Sequence, residues 1–418
     1  MVGAQIGRRA AVAGLLGGAA FRTPAWGADP ITIGCSMAQT GSLAANGKAA
    51  LVTMRIFVEE ANAKGGLLGR PLQLVAYDDQ SNPANVPRIY TKLLDVDKAD
   101  LIVTNGTNLT VPAMPVAMER NRLVMAMFAL AVNEKFRYGR FFQTMPYGPD
   151  GKAAISVGFF DAAMGMDPKP RTVALVGADA EFSKNAVAGA RAQAKARGLR
   201  TVYDRTYPPA TVDFGPVIRG IAAAGPDLVY VGSYPLDTSG LIRAMREQDF
   251  RPKLLGGGMV GTQSASLKGD LGEQLNGLVS YELYCPAAAR HFPKVEPLLR
   301  KYQQLAAENG VDAHGYYTPP FAYCTMEILA QAVQATGGLD QDKLAKHIHA
   351  TTFPTIVGDV RFGADGEWAE PRMLTVQFRG LKGQGAAQFT DADAEVILHP
   401  AEYRTGDLQP MPSGAAIR

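Results

Sequence analysis

The chain is poor in cysteine, tryptophan and histidine. Its 418 residues include 3 cysteines, 2 tryptophans and 5 histidines. The cysteines, Cys35, Cys285 and Cys324, lie far apart, and no Cys-x-x-Cys or paired Cys/His spacing occurs. These shortages exclude a disulfide-rich scaffold and give no reason to expect a metal site. We expect Cys35, in a strand, and Cys324, in a helix, to be free, buried apolar residues.

A long apolar run is also missing. The run from Ala10 to Phe21 is too short for a membrane span, which needs about 20 residues. It follows Arg8 and Arg9, and the small residues of a cleavage site follow it near Gly27 and Ala28. This arrangement is typical of a cleaved secretory signal, so we predict a signal peptide at 1–27 and a periplasmic location. The paired arginines leave the twin-arginine export route open beside the general one.

The mature chain lacks a charge excess of either sign. Residues 1–27 contain Arg8, Arg9 and Arg22 and no acid, which leaves 39 basic and 39 acidic side chains in the rest. Nucleic-acid binding depends on Lys and Arg that neutralise phosphates, and no basic cluster is present. We therefore expect neither nucleic acid nor a membrane surface as partner.

Apolar runs of strand length alternate with segments of helical period over most of the chain. Strands are predicted at 31–36, 72–77, 101–104, 123–127, 172–176, 200–206, 227–231 and 253–256, and helices at 47–64, 84–97, 111–121, 151–164, 182–197, 214–224 and 236–248. Such alternation predicts βαβ units with parallel sheets. A mature chain of about 390 residues exceeds one hydrophobic core, so two lobes are expected.

The pattern loosens after residue 278. We predict a strand at 278–283, helices at 294–309, 318–336 and 340–350, and strands at 357–362 and 373–379. The segment 385–418 is rich in Gly, Pro, Ala and Asp, which favours an extended arm or tail. The run from Gly315 to Phe321 could form a ligand wall, but a helix N-terminus capped by Thr318, with core aromatics, is the favoured interpretation.

Three motifs carry a resemblance to a known family. They are Gly41–Gly47 after the first strand, Glu60–Gly66 leading to Tyr77–Pro83, and Pro226–Gly232 followed by a helix. In order and spacing the chain resembles the periplasmic substrate-binding proteins of ABC transporters, in the leucine/isoleucine/valine-binding group. The resemblance covers about residues 30–380.

The resemblance implies an α/β fold of two lobes that close on a ligand like a Venus flytrap, each with a mostly parallel sheet flanked by helices. The lobes are joined by a hinge that the chain crosses several times, near 145–150, 276–282 and 354–359. We assign the chain as signal peptide 1–27, lobe 1 at 28–147 and 279–355, lobe 2 at 148–278 and 356–384, and tail 385–418. The expected partners are a small-molecule ligand and an inner-membrane ABC permease, and we expect a monomer.

In relatives, a Ser/Thr-rich loop after the third strand and a pair after the fourth hold the ligand carboxylate. Here these positions match Thr107 and Asn108, and the backbone around Leu130 and Ala131. The loop from Gln39 to Asn46 follows the first strand and is expected at the mouth of the cleft. Ligands of parallel α/β sheets bind outside the carboxyl ends of the strands, which fits all these positions.

The second lobe lacks a feature that the resemblance leads us to expect. Amino-acid binders of the family place an acid after the strand that ends here at Leu255, but this chain has glycines and Met259 there. Buried charges need partners, so a free amino acid fits poorly. We predict that Gly258 and Met259 shape the pocket floor. The residues that we expect to close over the ligand are Tyr147, Phe182 and Tyr234.

The sequence thus favours a non-enzymatic receptor for a small carboxylate-bearing solute, preferably an aromatic or other organic acid. Three alternatives stay open: a branched-chain amino-acid carrier, an exported α/β enzyme that uses Asp78 or Asp79, and a sensor module. Gly256-x-Gly258-x-x-Gly261 satisfies the dinucleotide-binding pattern. It lies late in the chain with no acid on a following strand end, so no cofactor is predicted.

Overall fold

The computed structural model describes residues 28–412 and contains two separate, mostly parallel sheets flanked by helices. The first sheet has the strand order β2-β1-β3-β4-β5, all parallel. Its strands are β1 (Ile31–Met37), β2 (Leu72–Asp78), β3 (Leu101–Asn105), β4 (Val124–Met127) and β5 (Phe141–Gln143). The predicted signal peptide, with either export route, lies outside the described residues.

The second sheet repeats this order and adds two antiparallel strands at one edge. Its order is β14-β13-β10-β9-β8-β6-β7, parallel from β10 to β7. These strands are β6 (Thr172–Ala178), β7 (Arg200–Tyr207), β8 (Leu228–Ser233), β9 (Leu254–Met259), β10 (Val279–Glu282), β13 (Leu374–Phe378) and β14 (Glu395–His399). A separate hairpin consists of β11 (Thr352–Thr355) and β12 (Gly358–Arg361).

Helices connect the strands and cover the sheets. They are α1 (Ala44–Ala63), α2 (Val86–Asp95), α3 (Thr107–Glu119), α4 (Val132–Phe136), α5 (Gly151–Met164), α6 (Glu181–Ala196), α7 (Gly215–Ala224), α8 (Pro235–Glu247), α9 (Ala265–Leu271), α10 (Val295–Asn309), α11 (Thr318–Thr336) and α12 (Gln341–Ala350). Helices α10 and α11 pack on α1, so this late part of the chain returns to the first sheet. None of the helices within residues 28–412 is long and apolar enough to cross a bilayer.

Local sequence explains where the first helix begins and ends. At its start, Gly47 lies so close to the end of β1 that an added Cβ would be 2.1 Å from the carbonyl oxygen of Ala38. At its end, Gly65 and Gly66 have φ values of 97° and 70°, and the N–H of Gly66 donates to the carbonyl of Ala61. Glycine adopts this left-handed conformation at little cost, which stops the helix.

The two-lobed parallel α/β fold predicted from the sequence is confirmed, with corrections at particular elements. The strand β10 pairs with β9, so the residues 279–282 belong to the second sheet and not to lobe 1. Within the predicted tail, residues 395–399 form β14, which pairs with β13. A five-residue edge strand buries too few side chains to give a clear period. The short β5, α4, α9 and β11 were missed for the same reason.

Helix α3 also begins four residues earlier than predicted. The predicted start at 111 rested on apolar periodicity, whereas the helix runs from Thr107 with Pro112 and Pro115 inside it. Prolines weaken a helical pattern because each removes an N–H donor. This shift matters for function, because it puts Thr107 and Asn108 in the first turn of a helix.

The three cysteines, Cys35, Cys285 and Cys324, are buried and free. This confirms the interpretation of Cys35 and Cys324 as buried apolar residues.

Candidate functional site

A cavity with about 540 Å³ of empty space, partly open to solvent, lies between the carboxyl ends of the two sheets. In the first sheet the strand order reverses between β1 and β3, and in the second between β6 and β8. Ligands of parallel α/β sheets bind at such switch points. The lining residues are Ala38, Leu43, Asn46, Asn105, Gly106, Thr107, Asn108, Leu109, Phe128, Tyr147, Phe182, Tyr234, Val260 and Tyr317.

Six residues expected at the ligand lie in this lining and are brought together from distant parts of the chain. They are Asn46, Thr107, Asn108, Tyr147, Phe182 and Tyr234. Sequence reasoning missed Phe128 and Tyr317. Phe128 directly follows β4, a position that the rule on strand ends could have identified. Tyr317 was taken for a core residue, and it is the residue before α11, so Thr318 is the first residue of the helix and not its cap.

The N-terminus of α3 supplies hydrogen-bond donors to the cavity. Gly106, with φ 83°, turns the chain from β3 into the helix. The backbone N–H groups of Thr107 and Asn108 lie in the first turn, where a helix has no carbonyl partner four residues back. A helix N-terminus carries a partial positive charge, so this arrangement can bind an anionic group.

The Thr107 hydroxyl is already occupied within the protein. It donates to the carbonyl of Phe128 at 3.1 Å and accepts the N–H of Leu130 at 3.0 Å. The side chain therefore fixes the loop after β4 against α3. What Thr107 offers to a ligand is its backbone N–H rather than its hydroxyl.

Asn108 joins the two lobes across the cavity. Its Oδ1 accepts the hydroxyl of Tyr234 at 2.8 Å and the backbone N–H of Phe182 at 3.2 Å. Tyr234 is the residue before α8 and Phe182 lies in the first turn of α6, so both belong to the second lobe. A second link is the bond from the Asn185 side chain to the carbonyl of Leu130, at 2.9 Å. These bonds hold the lobes together.

Five of the fourteen residues that line the cavity are aromatic. Phe182 and Tyr234 meet edge to face with centroids 5.9 Å apart, and Phe128 and Tyr317 have centroids 4.6 Å apart. Burial raises the pKa values of Tyr147, Tyr234 and Tyr317 above the usual tyrosine range. Their hydroxyls therefore stay protonated at any physiological pH and act as neutral hydrogen-bonding groups.

Three other predicted residues lie beside the cavity rather than in its lining. The N–H of Gln39 donates to Oδ1 of Asp78 at 2.9 Å, which directs this loop toward β2. Leu130 uses its N–H and its carbonyl in the bonds to Thr107 and Asn185. Ala131, with φ 57°, lines a different cavity together with residues of α4 and Asp365. Hence the loop after β4 contacts the main cavity through Phe128.

Gly258 and Met259 also lie outside the lining. A Cβ on Gly258 would be 3.2 Å from the Cβ of Ala186, so this glycine allows α6 to pack closely on β9. Met259 is fully buried. The residue of this segment that reaches the cavity is the next one, Val260.

Among the residues 28–412, those that line the main cavity include no Asp, Glu, Lys, Arg or His. Glu181 directly precedes the lining residue Phe182 and is exposed to solvent. Asp237, three residues after Tyr234, is buried. Its carboxylate accepts the hydroxyl of Tyr207 at 3.1 Å and the N–H of Tyr234 at 3.4 Å. The acid is thus used to hold the start of α8.

The acid pair Asp78 and Asp79 organises the loops at the ends of β1 and β2. Asp78 accepts the hydroxyl of Thr40 at 2.7 Å and backbone N–H groups, while Asp79 accepts the hydroxyl of Ser36 at 2.8 Å. Burial alone would raise the pKa of Asp78, but these hydrogen bonds lower it overall. Burial, with the charge of Asp78, raises the pKa of Asp79. These bonds give the pair a structural role in the loops after β1 and β2.

Comparisons with known proteins cover most of the chain. A family model described as periplasmic binding protein matches residues 30–385. The leucine-, isoleucine-, valine-, threonine-, and alanine-binding protein of Pseudomonas aeruginosa is 23% identical over 351 residues, which cover 84% of this chain and 90% of that protein.

Two solved structures have the same fold. An ABC transporter substrate-binding protein from Sphaerobacter thermophilus aligns with a TM-score of 0.73 at 19% identity, covering 91% of this chain and 99% of that one. A solute-binding protein of an ABC transporter from Rhodopseudomonas palustris, in complex with p-hydroxybenzoic acid, aligns with a TM-score of 0.71 at 19% identity, covering 85% and 95%. The match to the family model extends over most of the chain and confirms the resemblance found in the sequence: this chain belongs to the periplasmic binding protein family.

Proposed function

We propose that the protein is a periplasmic receptor of an ABC importer and captures a small aromatic carboxylate by closure of its two lobes. The observation that carries this proposal is the composition of the cavity. Five of its lining side chains are aromatic, one end is the N-terminus of α3, and none of the lining residues from the described part of the chain is charged.

The ligand carboxylate binds at α3 in this proposal. The N–H groups of Thr107 and Asn108 lie in its first turn, and the Thr107 hydroxyl holds the neighbouring loop in place through Phe128 and Leu130. Hydrogen bonds from fixed N–H groups to an ionised acceptor are about twice as strong as neutral ones. No positive side chain is needed for such a site, since the dipoles are already oriented.

The ligand ring packs against the aromatic walls. Offset or edge-to-face contacts with Phe128, Phe182 and Tyr234 each add about 0.5–1.5 kcal/mol beyond the buried area. The complex of the Rhodopseudomonas palustris protein with p-hydroxybenzoic acid supports this ligand class, because that protein has the same fold. Asn108 couples ligand binding to closure, since its N–H faces the anion and its side chain holds Tyr234 and Phe182.

The two lobes correspond to the two sheets. Because β10 belongs to the second sheet, we propose lobe 1 at 28–147 and 283–355, and lobe 2 at 148–282 together with the C-terminal strands. The partner would be an inner-membrane permease, the protein would act as a monomer, and the leader predicted at 1–27 would direct export to the periplasm.

A branched-chain amino-acid carrier is the second candidate, favoured by the names of relatives such as the Pseudomonas aeruginosa protein. Its ligand would bring an ammonium group into the cavity, where an acid is needed. In the second lobe, Oδ2 of Asp237 accepts hydrogen bonds from Tyr207 and Tyr234, and Glu181, the residue before Phe182, is exposed to solvent. The aromatic acid is therefore the better fit.

Two further candidates are an exported enzyme and a sensor module, and each can be tested without reference to the cavity. An exported enzyme would turn over a bound ligand, and Asp79→Asn would abolish the turnover. Asp78 and Asp79 already accept hydrogen bonds from neighbouring groups of the protein, which argues against a catalytic role for them. A sensor module would lie beside genes for a signalling partner, whereas an importer receptor would lie beside permease and ATPase genes.

The test is a thermal-shift screen of the purified protein with benzoate- and cinnamate-type acids and with leucine. We expect the aromatic acids to raise the melting temperature and leucine to leave it unchanged. Phe182→Ala should weaken binding of the aromatic acid about tenfold or more, because a buried aromatic contact is lost. Phe250→Ala, at a partly buried phenylalanine outside the cavity, is the matched control. Stabilisation by leucine alone at micromolar concentration would reject the proposed ligand class.

A further inference from the structure

A second cavity lies between α4, the start of α5 and the segment that follows β12. It contains about 1150 Å³ of empty space, including its open side. Three of its lining residues are acids and one is an arginine, so we call it the acidic cavity. The lining residues are Ala131, Asn133, Glu134, Arg137, Tyr138, Gly139, Pro149, Gly151, Ala364, Asp365 and Glu367.

The acidic cavity is separate from the main one. The two linings have no residue in common. They come close at Gly151, which lines the acidic cavity: a Cβ on this glycine would be 3.2 Å from the Cβ of Tyr147, which lines the main cavity. A ligand in the main cavity therefore leaves the acidic cavity free.

Glu367 is a buried acid without a partner in the wall of the acidic cavity. The residue is 6% exposed, and its Oε2 is enclosed without a hydrogen-bond partner among the described residues. Its backbone N–H donates to Oδ1 of Asp365 at 3.1 Å, but within residues 28–412 no group donates to its carboxylate. The other oxygen, Oε1, is not enclosed in this way, so it is the oxygen that can reach the cavity that Glu367 lines.

The charges that act on Glu367 are negative. Burial raises the pKa of Glu367 well above its usual range, and the charges of Asp365 and Glu134 raise it further. The cations nearby do not offset this effect, because Lys152 is ion-paired with Glu134 and Arg137 is exposed. Glu367 therefore holds a proton at neutral pH, and a cation placed beside it would favour the ionised form.

We infer that the acidic cavity is a second binding site, which takes a small organic cation by its ammonium group through Oε1 of Glu367. Asp365 and Glu134 add attraction for the same charge. An ammonium group has three N–H donors and needs only a few acceptors. The apolar part of the cation can lie against Ala131 and Pro149 in the same wall.

A metal ion fits this cavity less well than an ammonium group does. Within residues 28–412, no group of three or more His, Cys, Asp or Glu side chains is arranged to hold a metal ion. On binding of the ammonium, the proton of Glu367 passes to the buffer and the carboxylate pairs with the cation. This site goes beyond the proposed function, because it does not depend on which solute the main cavity holds.

The test is calorimetry of the purified protein with butylammonium and with 1-butanol, which has the same chain and no charge. At pH 7 and constant ionic strength we expect butylammonium to bind and 1-butanol not to bind. Binding should release about one proton, which the difference in heat between phosphate and MOPS buffers measures. Because the cation binds the ionised carboxylate, the affinity should rise between pH 6 and 8, by up to about tenfold per pH unit.

Glu367→Gln should lower the affinity for butylammonium about tenfold or more and abolish the proton release, because the charged acceptor is lost. Glutamine has the shape of the protonated acid, so we expect the variant to fold. Glu327→Gln is the matched control. Burial also raises the pKa of Glu327, to about 7, but Glu327 does not line the acidic cavity, so both quantities should stay unchanged.

Three results would each overturn the site. They are equal affinity of butylammonium for the Glu367→Gln variant, equal affinity of 1-butanol for the unmutated protein, and no binding of butylammonium up to about 10 mM. If Glu367→Gln did not fold, the proton release and the pH dependence of the unmutated protein would decide, and absence of both would overturn the site. Binding of aromatic acids is measured separately and is not affected by any of these results.

Discussion

The ligand cavity and the interior of the second lobe differ in their charged side chains. The cavity lining, as far as residues 28–412 form it, has no charged side chain. Inside the second lobe, Lys268, Glu282 and Glu395 form a buried ionic cluster, with exposures of 3%, 2% and 0%. Lys268 is ion-paired with Glu395 and lies 3.7 Å from Glu282. The cluster joins α9 to β10 and β14.

The difference reflects what each region has to do. Burial raises the pKa of Glu282 well above its usual range, although the ammonium of Lys268 acts in the opposite direction. The three side chains of this cluster are buried in the folded lobe. A cavity that opens and closes would have to desolvate a charged wall at every binding event, which costs several kcal/mol per ion. Oriented N–H groups and neutral hydroxyls avoid most of that cost.

The largest effect is expected from breaking the ionic cluster. Lys268→Met removes the cation and leaves the buried Glu282 and Glu395 without a partner of opposite charge. Loss of one member of a buried pair costs about 3–5 kcal/mol, so the free energy of unfolding measured with urea should fall by that amount. The ligand affinity of the folded fraction should stay the same, because the cluster does not line the cavity.

The control for this variant is Lys184→Met. Lys184 pairs with Asp179 on the surface, with side-chain exposures of 53% and 54%. Solvent screens such a pair, so no measurable change in stability is expected. If both variants lost stability equally, the burial of the cluster would not be the cause.

A smaller effect is expected from one hydrogen bond across the cavity. Tyr234→Phe removes the hydroxyl that donates to Asn108 and keeps the ring. A neutral hydrogen bond contributes about 0.5–1.5 kcal/mol, so the dissociation constant for an aromatic acid should rise about twofold to tenfold. Tyr203→Phe, outside the cavity, should leave the constant unchanged. An unchanged affinity for Tyr234→Phe would mean that this bond does not contribute to closure.

The smallest effect concerns pH. The titratable groups in the cavity wall formed by the described residues are tyrosines, and burial raises their pKa values. A phenol with a raised pKa stays neutral as pH rises to 9, so no group in the wall changes charge. Affinity for an aromatic carboxylate should therefore vary less than about twofold between pH 6 and 9, where the ligand stays ionised. A titration near pH 7 in calorimetry would reveal a charged group at the ligand.

The local sequence pattern was enough to predict most helices and strands. The predicted helices 151–164 and 318–336 coincide with α5 and α11. The predicted strands of the βαβ units differ from the observed ones by a few residues at their ends. The resemblance also placed Asn46, Phe182 and Tyr234 in the cavity lining. Residues with a single partner far away in the chain were not predictable in this way. The side chain of Asn108, for example, accepts the hydroxyl of Tyr234, which lies 126 positions further along the chain.

The sequence by itself determined the two-lobed α/β architecture, because the alternation of buried strands and amphipathic helices is a local property of the chain. It also determined which strand ends could meet a ligand. Only the tertiary structure decided which side chains form the cavity wall. Phe128 and Tyr317 are 189 positions apart in the chain, yet their ring centroids are 4.6 Å apart. That contact, like the lack of charge around it, depends on how the two sheets and the late helices pack, which no local period encodes.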